Sequence, residues 1–487
     1  MECNLSVRAS QNVVLVPDDY ERIQWAIGNA SMGDTIYVRA GTYYENVIVN
    51  KGVSLVGEDR DSTIVDGNGT GNVISITADN VSVEGFTISK SGTHPYDSGI
   101  FVDRFTGNNI IHNTITNNNY GISLYYSSDN LISDNTIADN NDGVSLYSSI
   151  SNEISDNKIT DSYDGIILYY SVSNVVSRNT ITENDYGILL FDSSSNDVFQ
   201  NNFAGNTQQT YSYNSINVWD NGKEGNYWSD YTGVDLYSGP YQNETGWDGI
   251  GDNPYEKIED DNQDNHPLMG MFSKFKVTLE RETYHVTTIC NSTISEFRFE
   301  IGPETGNKII RFNVTGKDDT VGFCRVAIPT ELMNYPYIVL VGGEEINATK
   351  LDVSNETYVY LYLNYPYNSH TIAIISSKTL YLYNKLLDKY VELNATYYDL
   401  LNDYGVLLGN YRQLEESYEE LNSSYQEHLS DYSKNVHNIQ NLMYIFAATT
   451  AIFIVTTIYL SKHAHTGKTK VFERTQKKAH ALACTQQ

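Results

Sequence analysis

Asp142 and Asp164 stand 22 residues apart, and each directly precedes a glycine. If that step is one turn of a coiling chain, the two carboxyls lie side by side and could share acid–base work on a glycan. Read as architecture, they are ordinary turn residues ahead of Gly143 and Gly165, and this second reading is preferred. Tyr125, Tyr147, Tyr169 and Phe191 keep the same 22-residue step, each just after a leucine. Rings spaced by about 4.8 Å along a sheet can stack on sugar rings, or on one another as cross-coil packing. The loop Asp248-Gly249-Ile250-Gly251-Asp252, with Asp260, Asp261 and Asp264 nearby, has the oxygen-rich, Gly-containing character of a Ca2+ site. Asp248 and Asp252 are its candidate ligands. The loop is not a full EF-hand, and an acidic turn is the other reading.

Eleven N-x-S/T sequons run through the chain. Asn4, Asn29, Asn68 and Asn80 precede the regular repeats. Asn243, Asn291, Asn313, Asn347, Asn355, Asn394 and Asn422 follow them and are the glycosylation candidates. Of four cysteines, Cys3, Cys290, Cys324 and Cys484, only Cys290 and Cys324 share a domain, as a disulfide or as two buried thiols. His94, His112 and His266 are too scattered to suggest a metal cluster. No residue is assigned as catalytic.

The 22-residue step positions these groups. Gly99, Gly121, Gly143, Gly165 and Gly187 mark it, each followed by an apolar-x-apolar triplet such as Ile122 and Leu124. Asparagine keeps the step at Asn108, Asn130, Asn152, Asn174 and Asn196, and again at Asn113, Asn135, Asn157, Asn179 and Asn201. A third column runs Asn118, Asn140, Ser162, Asn184 and Asn206. Apolar residues two apart within each unit indicate strands rather than helices. Three short strands with tight corners fill one unit, and stacked units make a parallel β-helix. Asparagine suits such corners through its tolerance of left-handed backbone angles, and stacked asparagines can bond from coil to coil.

The N-x-I-x-x-N-x-I…G-I-x-L coil resembles the NosD-like family of right-handed β-helix proteins, found in the periplasm and on archaeal surfaces. The resemblance covers roughly residues 13 to 270. It includes an ending built from Gly225–Tyr231, Asp248–Tyr255 and Pro267–Met269. Gly33–Val38 with Gly41-Thr42-Tyr43 resembles the opening coil of pectin-lyase-like β-helices. Relatives of the family carry a copper label, but no His or Met cluster here supports it. The N-T-D, G-H-G and R-I-K motifs of pectin hydrolases on this fold are absent from the sequence.

The chain is expected to be mainly β, with several domains. Residues 1–12 are a tail. Residues 13–206 are the β-helix, closed by a helix from Asp18 to Ala30 capped by Asp18 or Asp19. Residues 207–271 are its C-terminal cap, with tryptophans covering the last coil. In 272–377, six or seven alternating strands suggest a β-sandwich, loosely resembling Ig-like stalk modules of archaeal surface proteins. In 378–441, tyrosine recurs every seventh residue from Tyr383 to Tyr432 and leucine from Leu386 to Leu421, the spacing of a coiled coil. Gly405 and Gly409 leave room for a hairpin, but the unbroken heptad favours one helix of about 95 Å. Asn394 and Asn422 flank the seam.

Leu442–Leu460 is uncharged and long enough to span a bilayer, and 461–487 is basic, which places that tail in the cytoplasm. Everything before it then lies outside, although Met1 to Asp18 holds no signal peptide. A truncated or mis-called start, or a removed signal, accounts for that. The net charge of −30 makes nucleic acid a poor partner. The expectation is a single-pass cell-surface protein, structural, adhesive or glycan-binding. Its partners would be envelope glycans or other surface proteins, and the coiled coil would make it a homo-oligomer. The alternatives are a carbohydrate-active lyase or hydrolase and a metal-handling maturation factor.

Overall fold

A computed structural model describes residues 12–457, apart from 240, 317–320 and 367–368. Asn4, Cys3, Cys484 and the expected cytoplasmic tail lie outside the described residues. Each 22-residue unit forms one coil of three strands, as in Tyr120–Tyr125, Leu131–Ser133 and Thr136–Ala138. Like strands of successive coils pair in parallel, giving sheets of nine, eight and nine strands. Inward residues stay in register: Ile110, Ile132, Ile154, Val176 and Val198 are consecutive partners, all fully buried. The repeating glycine sits where the coil turns inward. A Cβ on Gly143 would lie 2.5 Å from the Gly165 carbonyl oxygen and 2.8 Å from Ile159.

The asparagine columns do not form the left-handed corners. Those angles belong to the preceding residue: Asp134, Asp156, Arg178 and Gln200 have φ of 57°, 58°, 59° and 57°. The asparagine that follows points inward, buried, and its carboxamide links three coils. Asn157 Oδ1 accepts from the backbone N–H and the Nδ2 of Asn135, each at 3.0 Å. Its Nδ2 donates to the Ile132 carbonyl at 2.9 Å and to Asn179 Oδ1 at 2.9 Å. A buried backbone group at every corner is thereby satisfied, which only a side chain with both a donor and an acceptor can do.

The covering helix α1 is shorter than expected, Ile23–Asn29, with Ile23, Ala26 and Ile27 buried on the core. Neither expected aspartate caps it. Asp18 pairs with Arg39 at 2.7 Å and Asp19 accepts the Leu15 amide. The cap comes from the next coil: Glu45 accepts the amides of Ile23 and Gln24 at 3.0 and 3.1 Å. Residues 81–88 form two strands, Ser82–Glu84 and the start of Thr87–Ser89, bent at Gly85 with φ 80°.

At the other end, Trp228 lies flat between Phe203 and Tyr255, with centroids 4.5 and 4.4 Å away. Trp219 and Trp228 cover the last coil, each 1% exposed, but Trp247 does not, at 53%. Buried Asp264 locks this cap, accepting from the Asn226 amide at 2.7 Å and Trp228 Nε1 at 2.9 Å. Burial pushes its carboxyl up to about 7.

The next domain is two five-stranded antiparallel sheets around a second core, ten strands where six or seven were expected. The extra strands are short pieces such as Glu344–Ile346 and Thr349–Lys350. Cys290 and Cys324 are direct cross-strand partners, buried, with both thiols free. The cap and the sandwich share a small apolar cluster of Ile250, Leu268, Phe272 and Phe323. Arg325 joins them too. It is 4% exposed, 2.9 Å from Glu224 of the cap, and donates to the Asp248 carbonyl at 3.2 Å.

Residues up to 385 form one compact unit and those from 386 a second. Helix α2, Lys378–Thr457, is continuous through Gly405 and Gly409, without a hairpin. Its heptad residues face solvent: Leu393, Leu414 and Tyr418 are each 68% exposed. Among the described residues no helix is long and apolar enough to cross a membrane. The last three residues of the expected span, 458–460, lie outside the described residues.

Candidate functional site

The outward face of the eight-stranded sheet gathers most of the candidate groups. Three columns run across it. The first is Tyr120, Asp142, Asp164 and Tyr186, in register on consecutive coils. The second is Ser123, Ser145, Ile167 and Leu189. The third is Tyr125, Tyr147, Tyr169 and Phe191. The middle column points outward yet is almost covered, with Ile167 only 3% exposed.

The aromatic column stacks on itself. Tyr125 and Tyr147 lie 4.9 Å apart at 18°, and Tyr169 and Phe191 lie 4.8 Å apart at 12°. Each of these four rings gives one face to its pair partner, as cross-coil packing. Tyr147 turns away from Tyr169 and meets Tyr170 edge-on at 5.9 Å. Free aromatic surface belongs instead to Tyr126, Tyr163 and Tyr170, which are 47%, 52% and 55% exposed. The sequence reading missed them. Tyr126 and Tyr170 sit one residue past the column at corners with φ of 49° and 50°, where a ring is turned outward. Their positions on alternate coils were visible in the repeat.

Asp142 and Asp164 are adjacent, as the step implied, and both are buried. Loss of hydration, then the neighbouring Asp164 charge, pushes the Asp142 carboxyl up to about 7. Burial, then Asp185, pushes Asp164 up to about 6. Asn141 donates to Asp142 Oδ1 at 3.1 Å, while Asp164 Oδ1 is buried without a hydrogen-bond partner. The Tyr120 hydroxyl is pushed up to about 12 by burial and by Asp142. Such a pair can hold a proton near neutral pH.

Asp248 and Asp252 share one cap loop, but their oxygens are taken up by the loop itself. Asp248 accepts the Ile250 amide at 3.0 Å and Gln242 Nε2 at 3.1 Å. Asp252 accepts the amides of Leu236 and Tyr237 at 2.9 and 3.1 Å. Asp235, which the sequence did not single out, accepts the amides of Asp248 and Gly249, and burial pushes it up to about 7. Asp264 serves the cap, and Asp260 accepts the Ser215 amide at 3.0 Å.

The glycosylation candidates separate by what their carboxamides do. Asn313 donates to Glu296 at 2.9 Å and accepts from Thr371 at 2.8 Å. Asn291 donates to the Val321 carbonyl and accepts the Phe323 amide. Asn355 accepts two amides through Oδ1 alone. Asn243, Asn347, Asn394 and Asn422 are exposed.

Residues 27–233 match the family model described as periplasmic copper-binding protein (NosD). Over that stretch the β-helix is similar to the NosD family. A cell surface glycoprotein of Methanothermus fervidus is 36% identical over 101 residues, which is 20% of this chain and 16% of that protein. The chain therefore spans only a small part of that relative. An alginate lyase from a Paenibacillus species superposes with a TM-score of 0.27 at 14% identity, covering 40% of this chain and 91% of that one. Pectin methylesterase PemA from Erwinia chrysanthemi gives 0.28 at 13% identity, covering 42% and 89%. Copper, which the NosD description names, does not fit the residues described in this NosD-like β-helix. Among them no group of three or more His, Cys, Asp or Glu is placed to hold a metal. His112 bonds to Asp134 at 3.1 Å, and His266 lies 3.2 Å from Asp220.

Proposed function

We propose that this is a cell-surface protein whose NosD-like β-helix holds glycans on the outward face of its eight-stranded sheet. The observation that carries the reading is the pair of half-exposed tyrosines, Tyr126 and Tyr170, at the edge of the sheet beside the stacked aromatic column, with Tyr163 half-exposed at the opposite edge. Tyrosine offers an apolar face and a hydroxyl at low entropic cost, which suits a sugar ring. The relative in Methanothermus fervidus, named a cell surface glycoprotein, supports the location. The uncharged run Leu442–Leu460 followed by basic residues supports a single-pass anchor with an inward tail. The exposed tyrosine–leucine seam of α2 supports pairing with a second copy of the same helix.

The test is a glycan array probed with the full chain in detergent, beside the double variant Tyr126→Ala, Tyr170→Ala. Binding should be present in the parent and fall at least tenfold in the variant. Equal binding by both would remove this face from consideration. A carbohydrate-active enzyme is favoured by one observation, the buried acid pair Asp142 and Asp164 with raised carboxyls. Release of shortened glycan by the parent, lost in Asp164→Asn, would select that reading.

A further inference from the structure

A cleft of about 790 Å3 opens between the β-helix cap and the sandwich. That is the size of a site for a small ligand or a few sugar rings. Its walls mix polar side chains with apolar ones such as Leu351 and Val353, and Trp247 stands in it 53% exposed, while Trp219 and Trp228 of the same cap are buried. Three sequons border it. Asn243-Glu244-Thr245 contributes Glu244 and Thr245 to the wall, Asn347-Ala348-Thr349 contributes Thr349, and Asn355 lines the cleft itself. All three asparagines are exposed. None donates its Nδ2 to another group among the described residues, in contrast to Asn291 and Asn313. The sequons of the cap and sandwich with an available nitrogen therefore converge on one cleft.

We infer that Asn243, Asn347 and Asn355 carry N-linked glycans and that the first sugars of these glycans occupy the cleft, packed on Trp247. The inference rests on the cell-surface reading above. The donor is an oligosaccharide on a polyprenyl phosphate. Nδ2 attacks the anomeric carbon, and the C–N bond forms as the bond from that carbon to the phosphate oxygen breaks. The amide proton leaves to solvent, and the lipid phosphate departs with the bonding electrons. Sugars held there would link cap to sandwich across a gap that side chains alone do not fill.

The experiment uses the full chain, made in a glycosylating archaeal host and carrying Trp25→Phe, which leaves Trp247 as the exposed tryptophan. Glycopeptide mass spectrometry reads occupancy, and acrylamide quenching reads access to Trp247. Occupied sites are expected. The triple variant Asn243→Gln, Asn347→Gln, Asn355→Gln should raise the quenching constant at least twofold. The double variant Asn394→Gln, Asn422→Gln should leave it unchanged. Occupied cleft sites with no change in quenching would overturn the inference, because the sugars would then lie elsewhere. Modification at Asn394 or Asn422 with none at the cleft would overturn it and leave the surface reading standing. No modification at any sequon would count against both.

Discussion

Burial without a counter-charge sets the behaviour of the individual acids. Asp142, Asp164, Asp235 and Asp264 are all held above the usual carboxylate range, chiefly by loss of hydration. A carboxyl raised in the fold keeps its proton where the unfolded chain has lost it. Its contribution is therefore complete below the unfolded value near 3.8 and declines as pH climbs towards 7. Asp220 acts in the opposite sense. Burial raises it, but hydrogen bonds from His266, Asn265 and the Gly222 amide outweigh that and hold it well below the usual range. Its contribution is lost only in strong acid. Asp142→Asn should flatten the fall in stability between pH 4 and 7 and add about 2 kcal/mol at pH 8. For a domain of this size that is a rise of about 4–8 °C in melting temperature. An unchanged melting curve at pH 8 would mean that the pair is already hydrated.

At the level of elements, one coil is held to the next by apolar stacking and by the asparagine ladder, and the two can be separated by mutation. Asn157→Leu keeps the volume but strands the Asn135 amide and the Ile132 carbonyl in the core. Buried groups left without partners cost about 1–3 kcal/mol each, so a loss of about 3–5 kcal/mol is expected in chemical denaturation. Serine at position 162 interrupts the third column naturally. Asn140 Nδ2 keeps its bonds to the Ile115 and Ala138 carbonyls, equivalent to those Asn118 makes one coil earlier, but lacks the bond Asn118 makes to the next residue of the column. Helix α2 poses a different question. Its seam is exposed along its length, and an isolated apolar stripe in water favours association. Leu393→Asp with Leu414→Asp should convert an oligomeric full chain in detergent into a monomer by sedimentation while helicity is retained. A parent that is already monomeric at high micromolar concentration would point to packing against another protein.

For the whole β-helix and sandwich unit, the junction depends on one buried cation. Arg325 comes from the sandwich, pairs with Glu224 of the cap and lies 5.1 Å from the Tyr360 ring. Arg325→Gln would leave the nearly buried Glu224 without its counter-charge, with only Gln200 Nε2 still donating to it, a loss of about 3–5 kcal/mol. Calorimetry should then show the β-helix and the sandwich melting in two steps instead of one. A single transition at the parent temperature would show that the apolar cluster around Phe272 suffices. At the cell level, protease added to intact cells should remove everything ahead of Leu442 and spare a small basic fragment. Full protection would rule out surface exposure.

The sequence alone determined the coil. A 22-residue step with inward Ile, Val and Leu leaves parallel stacking as the only way to bury every stripe at once, so core, sheets and register were all legible. The unbroken seven-residue step made one continuous helix α2 legible, and its tyrosine–leucine seam faces solvent in the single chain. Tertiary structure decided what periodicity does not encode. The left-handed corner is defined by backbone shape and accepts Asp, Arg or Gln, so no residue type announced it. The cap of α1 comes from Glu45, a coil away in sequence and adjacent only after the chain has turned. The partners of Arg325 lie on another domain. The stacking residues of the aromatic column proved to face one another because rings on neighbouring coils, a strand spacing apart, are already at stacking distance. Surface available to a ligand is what remains after such pairings are made, and only the folded chain makes them.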